Sequence, residues 1–92
     1  MLAISEITKI CAKKENIKEV ILYGSRAKGT HMEKSDIDIA LKGENIDIEQ
    51  LREEIDLIDT LLKIDLVDIN NTKNDLLKKE VDKYGIILYR KI

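Results

Sequence analysis

Asp36 and Asp38 stand two residues apart in Asp36-Ile37-Asp38-Ile39-Ala40-Leu41, a stretch of strict polar and apolar alternation. That period is the period of a strand, where such residues share a face with Cα atoms about 6.5–7 Å apart. Carboxylates at that separation can converge on divalent cations about 3.5–4 Å apart, the arrangement of two-metal phosphoryl chemistry. Ile37 and Ile39 would then point into the core and anchor the strand. A solvated acidic edge has the same pattern, so the pair acquires meaning only from what stands beside it.

Gly24-Ser25 supplies that second feature. It closes the apolar run Val20-Ile21-Leu22-Tyr23, and a glycine there lets the backbone turn sharply and approach a ligand closely. A short helix starting near Ser25 would turn its free N–H groups outward as a phosphate site, with the Ser25 hydroxyl adding a hydrogen bond. Two rival motifs fail on their own chemistry. Gly24 and Gly29 have P-loop spacing, but Thr30 and His31 stand where Lys and Ser/Thr are required, and a strand follows in place of a long helix. A calcium loop opening at Asp36 would need glycine at its sixth position, which is Leu41.

The elements that must position these residues follow from periodicity. Ile4, Ile7, Ile10 and Cys11 have helical spacing, and Cys11 reads as a core thiol. Asp47 can cap a helix of about four turns carrying Ile48, Leu51, Ile55, Ile58 and Leu62 on one face. Leu57 and Leu61 beside that stripe read as core, with a contact between copies of the chain as the alternative. Ile64 to Ile69 is a strand candidate. Thr72 to Asp75 can cap a last helix with Leu77 and Val81 inward and Gly85 as its C′ stop, before a strand at Ile86 to Tyr89. Alternating helices and strands predict an α/β or α+β layer around a small sheet.

The 92 residues fit one compact domain, with 43% hydrophobic residues and a core of Ile, Leu and Val because Phe and Trp are absent. A net charge of −2 lacks the basic excess of a non-specific nucleic-acid binder, so no direct nucleic-acid contact is expected. The single cysteine excludes an internal disulfide. No apolar run is long enough for a membrane span, and Met1-Leu2-Ala3-Ile4-Ser5-Glu6 lacks the regions of a signal peptide, so a cytoplasmic protein is expected.

Gly24-Ser25-Arg26-Ala27-Lys28-Gly29-Thr30, followed by Ser35-Asp36-Ile37-Asp38-Ile39-Ala40, resembles the Gly-Ser…Asp-x-Asp signature of the DNA polymerase β-like nucleotidyltransferase superfamily. In particular it is similar to the minimal, MNT-type branch found beside HEPN-domain proteins, over most of the chain and including Ile64-Asp65-Leu66-Val67-Asp68-Ile69 and Tyr84-Gly85. The resemblance implies a polymerase β-like α/β fold, a small mixed sheet flanked by helices, and one minimal domain over residues 1–92. It implies Asp36 and Asp38 as catalytic metal ligands and a third carboxylate on a neighbouring strand. Likeness favours Asp65 for that place, while periodicity leaves Asp68 open. Gly24, Ser25 and Arg26 would bind nucleotide phosphates, with Lys28 as a further candidate, the alternative for both Arg26 and Lys28 being a solvated surface residue. His31 reads as a loop residue.

The implied cofactor is Mg²⁺, two ions, with ATP as substrate. The implied reaction moves AMP to a hydroxyl, that of a tyrosine, on a helical HEPN-type toxin for which this chain is the antitoxin. Larger superfamily members add segments that hold the acceptor, so a partner is expected to complete the site. The alternatives are a non-catalytic module that neutralises the partner by occlusion and a subunit of a small-molecule nucleotidyltransferase.

Overall fold

The chain runs α1 (Leu2–Ala12), β1 (Ile17–Tyr23), α2 (Ser25–Lys28), β2 (Ile37–Gly43), α3 (Ile48–Ile55), β3 (Ile64–Asp68), α4 (Asp75–Tyr84) and β4 (Ile86–Arg90). These elements come from a computed structural model that describes residues 2–92, so Met1 of the N-terminal reading lies outside the described residues. The strands form one sheet in the order β3-β2-β1-β4. β1 pairs antiparallel with β2 and β4, and β2 pairs parallel with β3. The sheet is therefore mixed, as expected.

Alternation sends the side chains of each strand to two faces. One face carries Val20, Leu22, Ile37, Ile39, Leu41 and Leu66, packed with Ile7 and Cys11 of α1 and Leu51 and Ile55 of α3. This is the main core, and Ile37 and Ile39 are fully buried in it. Cys11 is likewise buried, and that burial pushes its thiol up to about 11, so it is an inert packing group. The other face carries a smaller cluster of Ile21, Ala40, Ile69 and Val81, with Val67, Leu77 and Tyr23 against it. α4 covers that side through Leu77 and Val81. No helix among the described residues is long and apolar enough to cross a membrane.

The caps are where the sequence placed them. The Asp47 carboxylate accepts from the Gln50 N–H at 3.1 Å, and the Asn74 side chain accepts from the Leu77 N–H at 3.1 Å. Asp47→Ala is expected to cost about 1 kcal/mol, read as a lower urea midpoint at unchanged slope.

Helix α3 is shorter than its apolar stripe predicts. After Ile55 the amides of Leu57 and Ile58 bond to carbonyls three residues back, Glu54 and Ile55, and the Thr60 hydroxyl takes the Leu62 N–H. The tightened turn ends the helix, while Ile58 and Leu62 still pack on the core from outside it. Leu57 and Leu61 are consequently turned to solvent, 86% and 105% exposed, which corrects their reading as core. Gly85 also has a different reason from the one expected. Its backbone is extended (φ −61°, ψ 139°) rather than left-handed. A Cβ there would strike the Val81 carbonyl and the Ile21 side chain.

Candidate active site

β1 delivers the chain to Tyr23 at one end of the sheet, and Gly24 turns it with φ 75° and ψ −156°. L side chains rarely adopt that conformation. A second constraint acts at the same atom, because a Cβ on Gly24 would run into the Asp38 carboxylate oxygen Oδ2. α2 then starts at Ser25 with no side-chain cap, so its first-turn N–H groups have no acceptor within the helix. Gly29 ends α2 in the left-handed conformation, φ 75° and ψ 14°.

Sheet register gathers the acidic residues. Asp38 stands opposite Tyr23 on β1 and opposite Asp65 on β3. All three lie on the α4 face, away from the main core. The Asp38 and Asp65 carboxylates face one another across β2 and β3, close enough for Asp65 to favour the protonated form of Asp38. Burial, first, and then the charges of Asp65 and Asp36 hold the Asp38 carboxyl above the usual carboxylate range, with Glu80 of α4 adding to the effect. The Tyr23 hydroxyl is pushed up to about 12, by burial and then by Asp38, Asp65 and Glu80. Lys63 Nζ lies 3.7 Å from Asp65 Oδ1 at the exposed rim.

Asp36 lies in the exposed segment just before β2. No group of three His, Cys, Asp or Glu side chains among the described residues is gathered closely enough to hold a metal ion. Asp38 and Asp65 meet, and Asp36, exposed just before β2, acts on Asp38 by charge. The donor set nevertheless suits a hard divalent cation. It consists of carboxylates only, crowded enough to retain a proton, and a cation would replace that proton.

Asp68 has the opposite parity to Asp65 on β3 and stands against Leu41 in the register. Its Oδ2 accepts from Asn71 Nδ2 at 2.7 Å, and its Oδ1 is buried with no hydrogen-bond partner. Geometry therefore puts Asp65 beside Asp38 and Asp68 elsewhere. The two basic residues of α2 are engaged by protein groups. Arg26 Nε and Nη2 donate to the Ser35 carbonyl at 3.3 and 3.0 Å. Lys28 Nζ donates to Glu80 Oε1 at 2.6 Å and sits 4.9 Å from the centre of the Tyr84 ring. His31 is exposed in the loop between the motifs.

Sequence reasoning missed Tyr23 and Glu80. Tyr23 had a signal, since its parity on β1 sets it next to the glycine turn. Glu80 had none, because only the packing of α4 brings it to this face.

Comparison with known proteins bears on the fold. Residues 5–91 match the family model described as polymerase beta, nucleotidyltransferase. Among curated proteins none matches significantly. Solved structures share the fold. One is a mutant of the toxin–antitoxin pair MntA–HpeT, with TM-score 0.70 and 23% identity over 95% of this chain and 73% of that one. Another is a toxin–antitoxin with AMP-PNP, with TM-score 0.68 and 23% identity over 98% of this chain and 73% of that one. A third is a tri-AMPylated HEPN toxin of Shewanella oneidensis in complex with MNT antitoxin, with TM-score 0.66 and 22% identity over 98% and 71%.

Proposed function

Because this chain belongs to the polymerase beta nucleotidyltransferase family, we propose that it transfers AMP from ATP to a hydroxyl, that of a tyrosine, on a helical HEPN-type partner, acting as its antitoxin. The observation that carries this reading is the contact of three sequence-distant parts at one end of the sheet. The Gly24 backbone, the Asp38 carboxylate and Asp65 meet there, so a triphosphate at the turn would lie directly beside the acidic pair. The complexes named above, of MNT antitoxin with tri-AMPylated HEPN toxin and of a toxin–antitoxin with AMP-PNP, support the choice of nucleotide and partner.

In this reading the first-turn N–H groups after Gly24 and the Ser25 hydroxyl hold phosphate oxygens. The acceptor oxygen attacks the α-phosphorus in line, the bond to pyrophosphate breaks, and the acceptor's proton passes to a carboxylate, for which Asp65 is the candidate. Two Mg²⁺ ions held by Asp36, Asp38 and Asp65 would supply charge neutralisation of the triphosphate and a lower pKa for the acceptor hydroxyl. The protein's remaining contribution is positioning on a rigid strand pair.

The test is to mix the chain with its co-purifying partner, ATP and Mg²⁺ and weigh the partner by mass spectrometry. Gain of one or more AMP units, lost without Mg²⁺ and in Asp36→Asn, is expected. An unmodified partner that is still neutralised would establish occlusion instead. An unmodified partner together with AMP on a small molecule would establish the third alternative.

A further inference from the structure

We infer that Arg26 is a positioning residue, which sets Asp36 against α2 by gripping the backbone of the loop before β2, in place of the phosphate contact the sequence suggested. The inference rests on the nucleotidyl-transfer reading above.

α2 has four residues and buries none of them fully, and only Ala27 packs against the main core. Residues 29–36 after it lie outside the sheet. They fold on themselves through the Ser35 N–H to the Met32 carbonyl at 3.0 Å and the Met32 N–H to Ser35 Oγ at 2.8 Å. Those bonds shape the loop without relating it to the glycine turn. Arg26 makes that connection. Its Nε and Nη2 both donate to the Ser35 carbonyl, at 3.3 and 3.0 Å, and Nη2 also reaches the Glu33 carbonyl at 3.4 Å. The Ser35 carbonyl belongs to the peptide that carries the Asp36 amide. Two donors of one rigid fork on that oxygen restrict both the position and the tilt of the peptide. On the other side the Ile37 N–H donates to the carbonyl of Lys63, the residue just before β3, at 2.9 Å, so the backbone on both sides of Asp36 is held, from α2 and from the start of β3. A lysine ammonium is a point donor and cannot reproduce the fork, whereas it can serve a phosphate.

Arg26→Ala and Arg26→Lys should be compared with wild type in the complex with partner, ATP and Mg²⁺, with amide hydrogen exchange of the same full-length chains. Both variants are expected to lose on the order of 10- to 100-fold in kcat, the cost of a misplaced reacting group, with KM for ATP within about twofold. Exchange at residues 33–37 should rise in both, with β1 and β4 unchanged. Wild-type kcat in Arg26→Lys, or a raised KM for ATP at constant kcat, would overturn the inference in favour of a phosphate contact. Unchanged exchange at 33–37 would also overturn it. A wild type that transfers no AMP would overturn the proposed function alone, and the exchange comparison would then decide Arg26 by itself.

Discussion

Asp38→Asn is expected to reduce AMP transfer by on the order of a thousandfold or more while leaving a folded protein. Asparagine keeps the shape of aspartate, and its amide can still donate to Asp65, so the contact between β2 and β3 survives. What disappears is a charge at the centre of the acidic group. Without metal that charge is a burden, because burial and the charges of Asp65 and Asp36 raise the Asp38 pKa above its ordinary value. The folded state therefore retains the proton to higher pH than the unfolded chain. Wild-type stability is accordingly expected to fall as pH rises from the ordinary aspartate pKa through the raised one, and to stay lowered above it. Asp38→Asn should flatten that part of the profile. Added Mg²⁺ or Mn²⁺ should raise the melting temperature of wild type and much less that of the variant. Transfer at an undiminished rate in Asp38→Asn, or a metal response equal to wild type, would refute the assignment of this carboxylate.

Gly24→Ala is expected to be nearly as damaging, through geometry instead of charge. The backbone at φ 75° and ψ −156° is essentially restricted to glycine, and a Cβ would in addition meet Asp38 Oδ2. The strain is worth about 1–3 kcal/mol, and displacement of Asp38 by even 1 Å can cost about 100-fold in rate. Gly29 provides the control. Its φ is also 75°, but a Cβ there would meet nothing within 4 Å. Gly29→Ala should cost about 1–2 kcal/mol of stability by the left-handed backbone alone and leave the transfer rate within about twofold. Urea unfolding and AMP incorporation measure both effects. Equal losses of rate in the two variants would show that the approach of Gly24 to Asp38 has no special part.

The candidate site was legible in the sequence wherever its logic was local. The alternation from Ile37 onward identified the face of Asp38, and the glycine after an apolar run marked the turn, whereas Asp36 lies just before β2 and outside the strand that was to give it that face. The choice between Asp65 and Asp68 was not local. Parity separates them, but only the parallel register of β2 with β3 sets Asp65 beside Asp38. Lys28 with Glu80, 52 positions apart, lay beyond any periodicity argument. In the fold, the helix after Asp47 illustrates the limit of a stripe. Ile58 and Leu62 do reach the core, as their spacing required, but the Thr60 hydroxyl and the three-residue bonds let them reach it without a helix. That misplaced Leu57 and Leu61. Gly85 was identified correctly as a stop, yet for a close approach that appears only when α4 is packed on β1.

The two faces of β2 have one further consequence, which concerns how such a gene can change. Asp38 and Ala40 serve one side, Ile37, Ile39 and Leu41 the other, in strict turn along the strand. A substitution at Asp38 leaves the packing of Ile37, Ile39 and Leu41 whole, so the proposed transfer can be lost in one codon step without loss of the fold. A one-residue deletion within the strand exchanges the two sides and removes both at once. Descendants of this chain would therefore include intact, silent copies far more readily than half-folded active ones.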